Sequence, residues 1–164
     1  MRIRRKIVLT ALVLAVGFCY AFIGYRFMSS ERSLPPERYA YVERVVDGDT
    51  VVLAGSDRVR YIGIDTPELN HPHKGREPFA QEAADLNRRL VEGKMVRLVF
   101  DVEKRDKYGR MLAYVWQDGI FVNEELVREG LARTYSFPPN TRYENELEGA
   151  ERAAMTAGKG VWGQ

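Results

Sequence analysis

The stretch Asp47–Glu68, DGDTVVLAGSDRVRYIGIDTPE, has the pattern of a strand, a turn and a returning strand. Residues 51–53 begin an apolar strand, the Gly-Ser-Asp segment 55–57 turns the chain, and residues 59–64 alternate on the way back. Pro67 stops the second strand, because proline has no N–H to give to the ladder. A hairpin of this length returns the chain to its start, so we expect Asp49 and Asp65 to face each other.

This pairing of carboxylates predicts a metal site. Two facing carboxylates repel each other unless a cation lies between them. The hairpin therefore indicates a site for a hard metal ion, with Arg60 and Glu68 beside it. The odd spacing of Arg60 and Asp65 points them to opposite faces of a strand unless the strand end bends, so spacing alone does not show that they meet. We expect Asp47 to serve the Asp-Gly turn.

Length and composition limit the possible classes of protein. The chain has 164 residues, of which 45% are hydrophobic and 29% charged, enough for one globular domain of ordinary size. Its net charge of +2 argues against a basic protein that coats nucleic acid indiscriminately. The single cysteine, Cys19, excludes an intrachain disulfide. Any attraction for phosphate must therefore come from local clusters of positive charge.

The N-terminal residues differ from the rest of the chain. Several basic residues precede an uncharged, largely apolar run from Ile7 to Tyr25. That run is about the length a helix needs to cross roughly 30 Å of hydrocarbon. We predict one transmembrane or signal-anchor helix over residues 1–28 and a linker over 29–37, with a cleaved signal as the alternative. The positive-inside bias then places residues 38–164 outside the cytoplasm, in the periplasm or extracellularly, membrane-anchored or secreted.

The remaining sequence predicts an α+β fold that is mainly β. Besides the hairpin, strands are predicted near 39–46, 95–100, 110–116 and 120–122, and helices near 79–91, 123–128 and 144–157. Asn123 is expected to cap the second helix. Five of these strands, mostly sequential and antiparallel, with about three helices fit a small closed five-stranded β-barrel of the OB type.

Three motifs make the chain similar to a known family. They are Asp47-Gly48-Asp49-Thr50; Arg60 with Asp65-Thr66-Pro67-Glu68; and Asp106-Lys107-Tyr108-Gly109-Arg110 followed by Leu112-Ala113-Tyr114-Val115. In this order, within residues 39–162, they resemble the thermonucleases, the homologues of staphylococcal nuclease. The resemblance implies an OB-fold barrel and a calcium-dependent phosphodiesterase that cuts DNA and RNA and leaves 3′-phosphate ends.

The resemblance also assigns roles to single residues. The implied ligands of Ca²⁺ are oxygens, as that ion prefers: Asp49, Asp65 and the backbone carbonyl of Thr66. The implied catalytic residues are Arg60, Glu68 and Arg110. Glu68 would orient or deprotonate the attacking water, and the two arginines would hold the phosphate and neutralise its developing charge.

The implied substrate contacts are Lys74, Lys107, Tyr108, Tyr135 and Phe137. Phe137 departs from the family, which has a second tyrosine there. Phenylalanine keeps the capacity to stack on a base but lacks the hydroxyl that could reach a phosphate. We expect a monomer whose partners are its DNA and RNA substrates and, through the N-terminal helix, the membrane.

One different function stays open at the level of sequence: a non-catalytic OB-fold module that binds nucleic acid or protein at the envelope. Such a module would be expected to lose an acidic ligand or an arginine, and this chain keeps all of them. His71 and His73 are interpreted as part of a surface loop and not as a zinc site, because no cysteine or third histidine lies nearby in the sequence.

Overall fold

The computed structural model describes residues 36–70, 73 and 75–163. In chain order its elements are β1 (Glu37–Val45), β2 (Thr50–Leu53), β3 (Arg58–Tyr61), β4 (Ile64–Asp65), α1 (Ala80–Val91), β5 (Met95–Val99), β6 (Met111–Gln117), β7 (Ile120–Phe121), α2 (Val122–Arg128), β8 (Arg133–Thr134), α3 (Glu144–Thr156) and a 3₁₀ helix (Gly160–Trp162).

Five strands close a barrel. Strands β3, β2, β1, β5 and β6 are hydrogen-bonded neighbours in that order, and each of these pairs is antiparallel. A parallel pairing of β3 with β6 joins the two ends, with Arg60 opposite Leu112. The closed five-stranded barrel with three helices confirms the predicted OB-type fold, and the closure by a parallel pair is the feature that the sequence did not indicate.

The barrel encloses the apolar core. In β1 the residues Ala40, Val42 and Val45 are buried between exposed neighbours, whereas all four residues of β2 are buried. Strand β6 is buried at every position except Trp116. Each large apolar side chain taken out of water contributes about 1.5–3 kcal/mol, so this interior dominates the stability of the domain.

The second strand of the predicted hairpin is shorter than expected. Strand β3 ends at Tyr61, and the chain turns through Gly63, whose φ is +80°. A Cβ at Gly63 would lie 2.5 Å from Cδ1 of Leu147, so both the backbone conformation and the close packing require glycine. Residues 64–65 then leave the barrel as β4 and pair with β8. The prediction of one continuous strand over 59–64 was therefore wrong, because the strand end bends.

The prediction that Asn123 caps the second helix was also wrong. Helix α2 begins one residue earlier, at Val122, and Phe121 stands at the cap position. Asn123 is fully buried; its Oδ1 accepts the Val115 N–H at 2.9 Å, and its Nδ2 donates to the Ile62 carbonyl at 2.8 Å. Its side chain therefore ties α2 to the barrel. An asparagine followed by acidic residues reads as a cap in the sequence, but its tertiary hydrogen bonds decide its place.

None of the described helices is long and apolar enough to cross a bilayer. The predicted transmembrane or signal helix, residues 1–28, lies outside the described residues and stays a prediction.

Replacing Asn123 tests whether its side chain ties α2 to the barrel. Asn123→Ala leaves two buried backbone groups without partners, at about 1–3 kcal/mol each. We expect the free energy of unfolding to fall by roughly 2–5 kcal/mol in urea titration. Asn145→Ala, an exposed change within α3, is the matched control and should leave the midpoint nearly unchanged. Equal midpoints for the two variants would contradict the proposed role of Asn123.

Candidate active site

Asp49 is held by Thr66, which follows the second strand of the hairpin. It is only 4% exposed, and its Oδ2 accepts hydrogen bonds from the N–H and the hydroxyl of Thr66 at 2.9 and 2.8 Å. A Cβ at Gly48 would come within 2.7 Å of the Thr66 side chain and 2.8 Å of the Ala83 Cβ, so the turn fits only with glycine. The two ends of the opening stretch therefore meet, as its pattern predicts.

Arg60 bridges the two carboxylates. Its Nη1 lies 2.8 Å from Asp49 Oδ2, and its Nη2 lies 2.7 Å from Asp65 Oδ1. Nη1 also donates to the Ile64 carbonyl at 2.9 Å. The bend at Gly63 is what lets Asp65 reach Arg60 despite their odd spacing. The cation expected between the facing carboxylates is, in this structure, a guanidinium.

The carboxylates around Arg60 carry more negative charge than it balances. Burial raises the pKa of Asp47 to about 6, and the charge of Asp49 adds to this effect. Partial burial also raises the pKa of Asp65; Arg60 opposes the increase, and the charges of Asp49 and Glu68 add to it. Both increases arise first from burial, and a nearby positive charge would oppose them, as Arg60 does.

The chemistry of the donors fits a hard divalent ion. Asp49 and Asp65 already reach a single cationic group, and Thr66 follows Asp65 directly with a carbonyl as a further oxygen donor. Within the described part of the chain, no three His, Cys, Asp or Glu side chains converge as a ready-made cage. An ion held here would complete its shell with carbonyl oxygens, water or substrate, which suits Ca²⁺ more than a thiol- or imidazole-binding metal.

Arg110 is aimed by Asp106, a residue that was not predicted as part of the site. Asp106 Oδ2 lies 2.7 Å from Arg110 Nε, and Asp106 Oδ1 accepts the backbone N–H groups of Tyr108 and Arg110. Burial opposes ionisation of Asp106, but these hydrogen bonds prevail and lower its pKa. The signal in the sequence was available: an aspartate that begins a turn, with an arginine four residues later, is placed to order both.

Both arginines open into one cleft of about 350 Å³. Its polar lining comes from two separate parts of the chain, and its aromatic wall comes from a third. The lining residues are Arg60, Tyr61, Ile62, Gly63, Ile64, Asp65, Asp106, Arg110, Leu112, Tyr135 and Phe137. The parallel β3–β6 pairing places Arg60 beside the strand that Arg110 precedes.

The aromatic wall consists of Tyr135 and Phe137. Their ring centroids are 6.2 Å apart and their planes are tilted by 48°. Tyr135 is 55% exposed, so a flat group could reach its ring from solvent. Both positions were predicted as substrate contacts, and the structure places them in the cleft with the two arginines.

The other predicted residues surround the cleft without lining it. Glu68 is exposed on the loop after β4, where its N–H donates to Glu77 Oε2 at 2.9 Å, and its charge acts on Asp65. Lys107 and Tyr108 are exposed on the turn before Arg110, with Lys107 Nζ 5.0 Å from the Tyr108 ring centroid. The predicted substrate contact Lys74 lies outside the described residues, as does His71 of the predicted surface loop.

Comparisons with known proteins agree with this geometry. A family model described as staphylococcal nuclease homologue matches residues 58–164. The chain is 35% identical to the thermonuclease of Staphylococcus hyicus over 159 residues, covering 95% of this chain and 94% of that protein. It is 36% identical to the thermonuclease of Staphylococcus intermedius over 166 residues, covering 96% and 98%. The endonuclease YncB of Bacillus subtilis (strain 168) is 40% identical over 126 residues, covering 74% and 60%.

The matched ranges extend over most of the chain, and the part that forms the cleft lies within them. The chain therefore belongs to the family of staphylococcal nuclease homologues, a family of nuclease hydrolases.

Proposed function

We propose that this protein hydrolyses phosphodiester bonds of DNA and RNA in a calcium-dependent reaction and leaves 3′-phosphate ends. One observation carries the proposal: Arg60 and Arg110, more than forty residues apart in the sequence, open into the same cleft beside Asp65. A cleft with two guanidinium groups fits a phosphodiester, because each can donate two parallel hydrogen bonds to phosphate oxygens.

The two arginines are held by different partners. Arg110 is fixed through Nε by Asp106, which leaves its terminal nitrogens to donate toward the cleft. Arg60 is shared with Asp49 and Asp65 through both of its terminal nitrogens. Fixed donors that point at developing charge lower the barrier, because no reorganisation is needed during the reaction.

Membership of the family implies a divalent metal ion, and we infer that the ion is Ca²⁺. Asp49, Asp65 and the Thr66 carbonyl would hold it, and a bound ion would supply positive charge to a phosphate oxygen. The raised pKa of Asp65 supports a site that attracts a cation. Arg60 contacts the same carboxylate oxygens, so its donors would be available to phosphate when those oxygens served a metal ion.

Glu68 is proposed to orient or deprotonate the attacking water. As the new bond from the water oxygen to phosphorus forms, the bond from phosphorus to the 5′ oxygen breaks, and the 5′ oxygen takes up a proton. The exposed ring of Tyr135, with Phe137 beside it, is proposed to stack on a base next to the scissile phosphate. Stacking tolerates any base, which suits an enzyme that accepts both DNA and RNA.

We also propose that the nuclease domain works outside the cytoplasm, held by the N-terminal segment or released from it. The support is the basic N-terminus followed by the apolar run from Ile7 to Tyr25. A calcium-dependent site suits an exported protein, because free calcium is scarce in the cytosol and abundant outside it.

The metal requirement is tested on the full-length protein in detergent. We expect cleavage of plasmid DNA, single-stranded DNA and RNA with added calcium, none with chelator, and little with magnesium, which demands stricter octahedral geometry. The products should become primers for a polymerase only after phosphatase treatment, since a 3′-phosphate blocks extension. Cleavage that persists in chelator, or ends that extend directly, would refute the proposal.

The roles of the charged groups are tested by substitution. Arg110→Ala and Glu68→Gln should each lower kcat on the order of 10²-fold or more, the scale seen when one group that stabilises the transition state is lost. Arg110→Lys should recover only a minor part, because an ammonium cannot donate bidentately. Arg58→Ala, at an exposed position of β3, is the control. Full activity of the Glu68 and Arg110 variants would contradict these assignments, whereas binding without cleavage by the wild-type protein would favour the non-catalytic module.

Export is tested by cell fractionation. We expect full-length protein in the membrane fraction with its nuclease domain accessible to external protease. A variant without residues 1–28 should stay in the cytoplasm. A shortened form in the medium would support the cleaved signal, whereas intact protein in the cytosolic fraction would contradict export.

A further inference from the structure

The segment that carries the aromatic wall has little hydrogen bonding of its own. Strand β8 has two residues, and its ladder with β4 consists of the pairs Thr134–Ile64 and Arg133–Asp65. One more backbone bond follows, from the Tyr135 N–H to the Gly63 carbonyl at 3.0 Å. A two-stranded ribbon this short is marginal in water without further support.

That support comes from Glu151 on α3. Its Oε1 accepts the Thr134 backbone N–H at 2.8 Å, and its Oε2 accepts the Thr134 hydroxyl at 2.6 Å. Hydrogen bonds to an ionised carboxylate are roughly twice as strong as neutral ones. Among the described residues, no lysine or arginine forms an ion pair with Glu151, so its carboxylate serves Thr134.

Helix α3 is a firm base for this contact. Leu147, Ala150 and Ala154 are buried on one of its faces. Arg133 directly precedes Thr134, and its guanidinium lies 4.2 Å from the ring centroid of Trp162. Strand β8 is thus held by the C-terminal part of the chain in addition to its short pairing with β4.

The far end of the same segment is fixed in a similar way. Asn140 is 1% exposed; its Oδ1 accepts the Glu103 N–H at 2.8 Å, and its Nδ2 donates to the Glu103 carbonyl at 2.9 Å. Residues 134–140, which include Tyr135 and Phe137, therefore lie between two side-chain clamps, one on α3 and one on the loop before Arg110.

We propose that Glu151 is a positioning residue that couples the metal side of the site to its aromatic side. Thr134, which Glu151 holds, lies between Arg133, the strand partner of Asp65, and Tyr135, which lines the cleft. Loosening this contact would move Asp65 and Tyr135 together. Glu151 itself does not line the cleft. The inference rests on the proposed calcium-dependent nuclease function.

Glu151→Ala removes both hydrogen bonds, whereas Glu151→Gln can keep both, with its Oε1 accepting the N–H and its Nε2 donating to the hydroxyl oxygen. Thr134→Val removes the hydroxyl bond alone and keeps the branched shape, and Thr134→Ser restores the hydroxyl. The control is Glu146→Ala, an exposed change on α3.

We expect Glu151→Ala to raise KM for single-stranded DNA and to weaken calcium binding, each on the order of 10-fold, equivalent to about 1.4 kcal/mol. Calcium binding is measured by calorimetry without substrate, at a temperature where melting curves show the variant folded. Glu151→Gln should recover most of both losses, and Thr134→Val should lie between wild type and Glu151→Ala. Acrylamide quenching of Trp162 fluorescence should increase in Glu151→Ala, because Arg133 adjoins Thr134.

A merely structural role predicts a different pattern. If Glu151→Ala lowers the melting temperature but leaves calcium affinity and KM at wild-type values, the positioning role is wrong. The same conclusion follows if calcium affinity changes without KM, because then the two sides of the site are not coupled. An inactive wild-type protein would refute the proposed function and, with it, this inference. If the wild-type protein is active and only the expected differences among the variants are missing, the positioning role of Glu151 alone is refuted.

Discussion

The parallel pairing of β3 with β6 is the constraint on which the site depends. It closes the barrel, and it joins two segments that lie about fifty residues apart in the chain. Without it Arg60 and Arg110 would belong to separate hairpins. Parallel pairs between distant segments form only after a long loop has closed, so their cost in chain entropy must be met by the buried core of the barrel. The same strand pairing therefore determines both the stability of the barrel and the geometry of the cleft.

Electrostatics and hydrogen bonding explain how the chain accommodates a buried acidic side chain at this site. Asp49 is almost fully buried, and burying an acidic side chain without partners is costly. Thr66 donates two hydrogen bonds to it, and Arg60 contributes positive charge. Burial raises the pKa of Asp65, and the Arg60 guanidinium opposes this increase. Hydrogen bonds and a charge from within the chain therefore account for the burial of Asp49.

The sequence predicted those parts of the site that depend on local geometry. The meeting of Asp49 with the DTPE segment follows from one hairpin, and the turn before Arg110 follows from its aspartate and glycine. The bend at Gly63 was not predicted, because the alternating pattern continues through it; the glycine is explained only by its contact with Leu147 from a distant helix. Asn123 was misjudged for the same reason, since its hydrogen bonds reach a strand and a turn far away in sequence.

Strand β8 shows why the aromatic wall could be placed only by resemblance to a family. Two residues carry no periodicity, so nothing in the local pattern indicates that Tyr135 faces the same cleft as Arg60. Its position is set by side chains, Glu151 on one side and Asn140 on the other, that act over the fold and not along the chain. The barrel thus fixes the charged half of the cleft through backbone pairing, and the C-terminal helix fixes the aromatic half through a carboxylate. A substitution on that helix can change catalysis from outside the cleft, because the two-residue strand β8 has too few backbone hydrogen bonds to keep its position without the helix.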